Sequence, residues 1–147
     1  MNVIIRKGTR DDIPAAYNLV RELAIYERAL DYMSNTPDKM ARDYDNKLFD
    51  FIVADLDGKI VGMSLYYFRY STWQGKRLYM EDIIVTEDLR GNGIGKLLFD
   101  GTVAIAKESE CTGMRWQVLD WNTSAVSFYR KYGTSFDDEW INCNLDF

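Results

Sequence analysis

A loop in which glycine takes every second position, Arg90-Gly91-Asn92-Gly93-Ile94-Gly95-Lys96, constrains this chain more than any other segment. Glycine loses more backbone freedom on folding than any other residue, so three of them in alternation call for a backbone requirement that only glycine meets. Before the loop, Leu78-Tyr79-Met80-Glu81-Asp82-Ile83-Ile84-Val85 is rich in β-formers and reads as a strand. After it, Ile94, Leu97, Leu98, Gly101 and Ile105 recur at helical spacing. Consecutive N–H groups at the start of such a helix form a concave site for an anion. Two common versions of that site are excluded. A dinucleotide fingerprint counted from Gly91 needs glycine or alanine where Lys96 stands, and a parallel βαβ unit around it. A P-loop needs glycine at Arg90 and a hydroxyl at Leu97. A pyrophosphate cradle of the general kind remains, with a plain tight turn as the alternative.

The other elements fall into place around this loop. Val3-Ile4-Ile5 is a short strand, and Thr9-Arg10-Asp11-Asp12 fits a capping box that opens a helix with a stripe of Ile13, Ala16, Tyr17, Val20, Leu23 and Ala24. Pro14 is tolerated because it falls in the first turn. Thr36-Pro37-Asp38 starts a second short helix carrying Met40 and Tyr44. Asp57-Gly58 separates Phe51–Ala54 from Ile60–Phe68 and predicts a type I′ hairpin, and Leu78–Val85 adds a third strand to the meander. Met114–Leu119 reads as a strand, Asn122-Thr123-Ser124 as a cap, Ala125–Tyr132 as a helix stopped at Gly133, and Trp140–Leu145 as a last strand. The order β-α-α-β-β-β-α-β-α-β predicts one α/β domain over residues 1–147, with a mixed, mostly antiparallel sheet flanked by helices.

Composition narrows the chemistry. The 147-residue chain has no histidine and a net charge of −5. The absent imidazole excludes Ser-His-Asp and Cys-His arrangements and the usual zinc sets, and leaves proton transfer to carboxylate, tyrosine, lysine or cysteine. The acidic balance argues against a nucleic-acid partner and suits a cationic ligand. Cys111 and Cys143 form no CxxC pair and read as reduced, inert thiols. No run approaches the ~20 apolar residues that span a bilayer, so a cytoplasmic protein without a membrane partner or a metal is expected.

Arg90-Gly91-Asn92-Gly93-Ile94-Gly95 after Glu81-Asp82-Ile83-Ile84-Val85 resembles the Arg-x-x-Gly-x-Gly/Ala motif of the GNAT acetyltransferases. More narrowly, Glu22-Leu23-Ala24-x-Tyr26-Glu27, Tyr66-Tyr67-Phe68-x-Tyr70, Gly75-Lys76-x-Leu78-Tyr79-x-Glu81-Asp82 and Trp121-Asn122 through Phe128-Tyr129 resemble the spermidine/spermine (diamine) branch. The resemblance implies the GNAT fold, acetyl-CoA as co-substrate, a small amine as acceptor and a homodimer. It implies that Ile83, Ile84 and Val85 offer backbone groups to the acetyl and pantetheine parts. Gly91, Asn92, Gly93, Ile94, Gly95 and Lys96 would hold the pyrophosphate, and Arg90, Asn122 and Ala125 would complete the cofactor side. Asn122 and Tyr129 would line the thioester end, where a phenol can protonate the departing thiolate.

Glu81 is the candidate base. Strict alternation puts Tyr79, Glu81, Ile83 and Val85 on one face of the strand and Leu78, Met80, Asp82 and Ile84 on the other, so each acid sits among apolar neighbours. Partial desolvation would raise the pKa of Glu81 toward a useful value, and a bulge, expected from the fold, would alter the parity. A plain surface role stays open for both acids. Tyr26, Glu27, Trp73, Glu81 and Asp82 are the candidate substrate residues. Ser71-Thr72-Trp73 departs from the branch, which has Asp-Pro before the tryptophan, and so weakens the polyamine reading. Direct acetyl transfer to a di- or polyamine in a ternary complex is the expectation. A lysine-like amino acid of the thialysine type, an aminoglycoside or a protein amine is the alternative acceptor, and an acyl-CoA-binding regulatory module the non-enzymatic alternative.

Overall fold

The computed structural model describes all 147 residues, which divide into two compact units, Met1–Trp116 and Gln117–Phe147. In the first, β1 (Val3–Lys7), β2 (Asp50–Leu56), β3 (Lys59–Ser71), β4 (Gly75–Val85) and β5 (Gly113–Arg115) form one five-stranded sheet in sequence order. The first four strands pair antiparallel, whereas β5 pairs parallel to β4. This is the mixed, mostly antiparallel sheet expected from the sequence. The helices of this unit are α1 (Ile13–Tyr26), α2 (Pro37–Asp45) and α3 (Ile94–Glu108).

Local chemistry explains the boundaries. The Asp12 carboxylate accepts the Thr9 N–H at 2.8 Å, closing the capping box ahead of α1. Thr36 accepts from the Lys39 N–H at 3.2 Å and caps α2, with Pro37 in its first turn. Asp57 and Gly58 take φ of 51° and 88°, the two positive values a type I′ turn requires.

The core on one side of the sheet gathers Ile13, Ala16 and Leu19 of α1, Met40 of α2, and Phe51, Val53, Met63, Leu65 and Ile84 of the strands. On the α3 side the buried stripe is Ile94, Leu98, Phe99, Thr102 and Ala106, and Leu97, expected in it, is exposed. The Ser64 and Thr102 hydroxyls hydrogen-bond at 2.7 Å within this layer, and Thr102 also bonds the Leu98 carbonyl at 2.8 Å, so neither is buried without a partner.

Two strand expectations are corrected. Met114–Leu119 is strand only from Gly113 to Arg115. Its ladder stops at Tyr79↔Arg115, two residues before β4 takes in an extra residue at Glu81. Such an insertion bends and twists its strand, so a parallel neighbour cannot follow it further. In the second unit, α4 (Thr123–Arg130) is present, but Trp140–Leu145 carries no strand, and Trp140, Ile141 and Leu145 are largely exposed. β-propensity without a paired neighbour does not make a strand.

Candidate active site

The decisive local feature is a bulge in β4. Tyr79 faces Tyr67 and Met80 faces Tyr66, but Leu65 faces Asp82, so Glu81 is the inserted residue. Met63 and Leu65 pack toward α1, and alternation along β3 puts Tyr67 on the same face. Tyr79 and Glu81 before the bulge, and Asp82 and Ile84 after it, therefore share the α1 face. Strict alternation would have sent the two acids to opposite faces; the insertion brings them to one.

That face is electrostatically crowded. Glu27 follows α1 directly, and burial raises its pKa above the usual carboxylate range. Burial also pushes the Asp82 carboxyl up to about 7, with the charges of Glu81 and Glu27 adding to the effect. The expectation that Glu81 would be the desolvated acid is corrected. Glu81 is exposed, because the bulge lifts it out of the packed alternation, and its Oε2 accepts the Tyr67 hydroxyl at 3.1 Å. Half-buried Asp82 is the carboxylate with the raised pKa.

Beyond Tyr79 the β4 edge has no strand neighbour on the β5 side, so Ile83, Ile84 and Val85 lie along an open edge. The Val85 carbonyl there accepts from Arg90 Nε at 3.0 Å. The glycine loop follows. Gly91 and Gly93 have φ of 80° and 82°, and a Cβ at either would meet nothing within 4 Å. The requirement is for the left-handed backbone itself, not for close packing. Gly93 is the N-cap of α3 and offers no side chain, so the amides of Ile94, Gly95 and Lys96 precede the first helical bond, from Leu97 N–H to the Gly93 carbonyl at 3.2 Å. A Cβ on Gly95 would make only an ordinary 3.9 Å contact with Val85, so the fold alone does not demand glycine there. An uncapped helix start beside open space fits a pyrophosphate. Asn92 Nδ2 bonds the Leu89 carbonyl at 3.0 Å and shapes the loop.

Two cationic residues of the loop have partners within the protein. Lys96 pairs with Asp100 at 2.6 Å, one turn along α3. Arg90 folds back: its guanidinium lies 4.8 Å over the Tyr26 ring and 3.8 Å from Glu22. Tyr26, a candidate substrate residue, thus meets the cofactor loop. Glu22 was not singled out as a site residue, although it begins one of the motifs that carry the resemblance. Its carboxylate accepts from the Glu87 N–H at 2.8 Å and from the Thr86 hydroxyl, and so ties α1 to the chain leading into the glycine loop.

Trp73 is 87% exposed in the turn between β3 and β4. Ser71 Oγ accepts from the N–H groups of Trp73 and Gln74 at 3.2 and 3.1 Å, so its side chain is committed to that turn. In the second unit, Asn122 caps α4 by accepting the Ala125 N–H at 3.3 Å, and Tyr129 is buried with its ring 5.5 Å from that of Phe128. Cys111 and Cys143 are free thiols. No group of three or more His, Cys, Asp or Glu side chains is placed to hold a metal ion, and no helix is long and apolar enough to cross a membrane.

The pattern of the Acetyltransferase (GNAT) family matches residues 14–134. The thialysine N-epsilon-acetyltransferase of Sus scrofa is 34% identical over 142 residues, covering 90% of this chain and 84% of that protein. The spermidine/spermine N(1)-acetyltransferase-like protein 1 of Homo sapiens is 36% identical over 138 residues, covering 88% of this chain and 20% of that protein. Among solved structures, a transcriptional regulator from Bacillus halodurans superposes with a TM-score of 0.82 at 25% identity, covering 98% of this chain and all of that one. An aminoglycoside acetyltransferase from an uncultured soil metagenomic sample reaches 0.81 at 20% identity over 99% of this chain and 96% of that one, a likeness of fold.

Proposed function

This chain belongs to the acetyltransferase (GNAT) family and is an amine N-acetyltransferase, and we propose that it moves an acetyl group from acetyl-CoA to the terminal amine of a small aliphatic acceptor. A lysine-like amino acid of the thialysine type is the first candidate. The observation that carries this reading is the bulge at Glu81, which gathers Glu81 and Asp82 on the face where Glu27 ends α1, next to the open β4 edge and the glycine loop. Residues 1–147 act in this reading as one acetyltransferase domain.

Acetyl-CoA supplies the activated thioester. The amides of Ile94, Gly95 and Lys96 and the left-handed loop at Gly91 and Gly93 would hold its pyrophosphate, and the backbone of Ile83 to Val85 its pantetheine arm. A primary amine with pKa of about 10.4 is almost wholly cationic at neutral pH and must lose a proton before it attacks. Glu27 and Asp82 attract the ammonium, and Glu81, directly or through water, takes the proton. The free amine then forms its bond to the carbonyl carbon as the carbon–sulfur bond breaks, and the nitrogen gives up its second proton to solvent as the amide forms. We assign the proton returned to the departing sulfur to Tyr129, on the match of Asn122 and Phe128-Tyr129 to the family pattern. Asn122 and Ala125 open the helix that carries it. Neither cysteine is needed for a covalent intermediate.

A second reading, acetylation of a di- or polyamine, is favoured by the acidic face and by the human relative. Ser71 bears on the choice: the branch has an acid there, whereas this hydroxyl is spent on the turn. Thiol release with acetyl-CoA and thialysine, putrescine, spermidine or a lysine peptide separates the acceptors. The highest kcat/KM is expected for thialysine, and inactivity with all four refutes small aliphatic amines. Loss of turnover in Glu81→Gln and Tyr129→Phe is expected, and unchanged kcat/KM in both from pH 6 to 9 would sink the mechanism. The homodimer and the cytoplasmic location belong to the same reading and are open to sedimentation and cell fractionation.

A further inference from the structure

Glu81 is held by less of the sheet than any paired residue of its strand. Tyr66 faces Met80 and Leu65 faces Asp82, so no β3 residue stands opposite it. An exposed glutamate on a bulge is free to turn through several rotamers, whereas proton abstraction requires one oxygen to meet the amine in one geometry.

The structure contains a brace for it. Tyr67 donates its hydroxyl to Glu81 Oε2 at 3.1 Å. Its ring stacks on Tyr79, directly opposite on β4, with centroids 5.4 Å apart and planes 28° from parallel. The Tyr79 ring in turn carries the Arg69 guanidinium at 4.8 Å. A cation, two stacked rings and a hydroxyl therefore run in series to one carboxylate oxygen. Burial, with the neighbouring Glu81 charge, pushes the Tyr67 phenol up to about 12, so it remains a donor through the working pH range.

We propose that Tyr67 is a positioning residue for the acetyl-transfer reaction: its hydroxyl fixes Glu81 through Oε2 and leaves Oε1 aimed at the amine proton or its bridging water. This rests on Glu81 being the proton acceptor. The stack gives the brace its rigidity, and the hydroxyl alone gives it its function.

Tyr67→Phe separates the two, because it keeps the ring on Tyr79 and removes only the donor. Wild type, Tyr67→Phe, Glu81→Gln and the double variant are compared for kcat, KM for amine and for acetyl-CoA, and melting temperature. Tyr67→Phe is expected to lower kcat by about 10- to 100-fold, the scale of a misplaced catalytic group, with KM for acetyl-CoA and the melting temperature unchanged. In the Glu81→Gln background the same substitution should have no further effect. A kcat for Tyr67→Phe within about twofold of wild type while Glu81→Gln collapses would overturn the proposal and leave the base in place. Losses that multiply in the double variant would also overturn it, since the hydroxyl would then act apart from Glu81. Full activity in Glu81→Gln would remove the base and the brace together.

Discussion

Replacing Asp82 by asparagine tests the electrostatics of the bulged face through stability alone. The carboxyl titrates at about 7 in the fold against 3.8 in the unfolded chain, a difference of roughly 3 units and so of about 4 kcal/mol. The native state holds a proton between pH 4 and 7 that the unfolded chain has lost. Unfolding then releases a proton, so stability falls as pH rises through that window, by about 1.4 kcal/mol per unit, and levels off above pH 7. Asparagine carries no charge and abolishes this slope. Asp82→Asn should match wild type near pH 4 after a constant offset and gain about 2–4 kcal/mol on it by pH 8. Reversible urea unfolding at half-unit steps from pH 4 to 8 reads the difference. Because Glu81 contributes to the raised value, Glu81→Gln should move the upper end of the window to lower pH. Parallel stability curves for wild type and Asp82→Asn across the window would refute the reasoning.

The same face predicts that KM for a cationic amine falls as pH rises from about 5.5 to 7.5 and is flat above, because an ammonium beside Asp82 favours its ionised form and binding expels a proton. Calorimetry in buffers of different ionisation enthalpy counts that proton. Gly93→Ala forces an alanine to φ of 82° and should cost about 1–2 kcal/mol of stability by urea unfolding, with KM for acetyl-CoA raised as the helix start shifts. Glu22→Ala leaves the Glu87 N–H and the Thr86 hydroxyl without their acceptor and should cost about 1–3 kcal/mol. In the same variant KM for acetyl-CoA should rise more than KM for amine, and equal effects on both would detach Glu22 from the loop.

Elements with their own local chemistry were legible in the sequence. Asp57-Gly58 demands positive φ, Thr36-Pro37 pairs a cap with a first-turn proline, and Gly91 and Gly93, two of the three alternating glycines, sit at left-handed positions. The features that were not legible depend on pairing. A period of two says nothing about where a strand takes in one extra residue; the resemblance implies a bulge in this strand but not its place, so the faces of the two acids stay open in the sequence. The same insertion ends the β5 ladder at Arg115, which no property of Met114–Leu119 reveals. Trp140–Leu145 has the composition of a strand without a paired neighbour. Glu22 was passed over because a helix glutamate reads as solvated surface until the segment it receives, 65 residues on, is folded against it.

One inserted residue thus accounts for most of what makes the site chemical. Without the bulge, Glu81 would stand opposite Leu65, and Asp82 would turn toward α3, away from Glu27. With it, like charges meet on one face, and their cost is relieved unequally. Glu81 reaches solvent and the Tyr67 hydroxyl, whereas Asp82 remains half-buried and takes up the proton. Two adjacent carboxylates in different surroundings take different protonation states near neutral pH, which lets groups of one kind serve different roles. The chain has no imidazole to change charge near neutral pH. Asp82 changes charge there instead, through burial and the two acids that the backbone sets beside it.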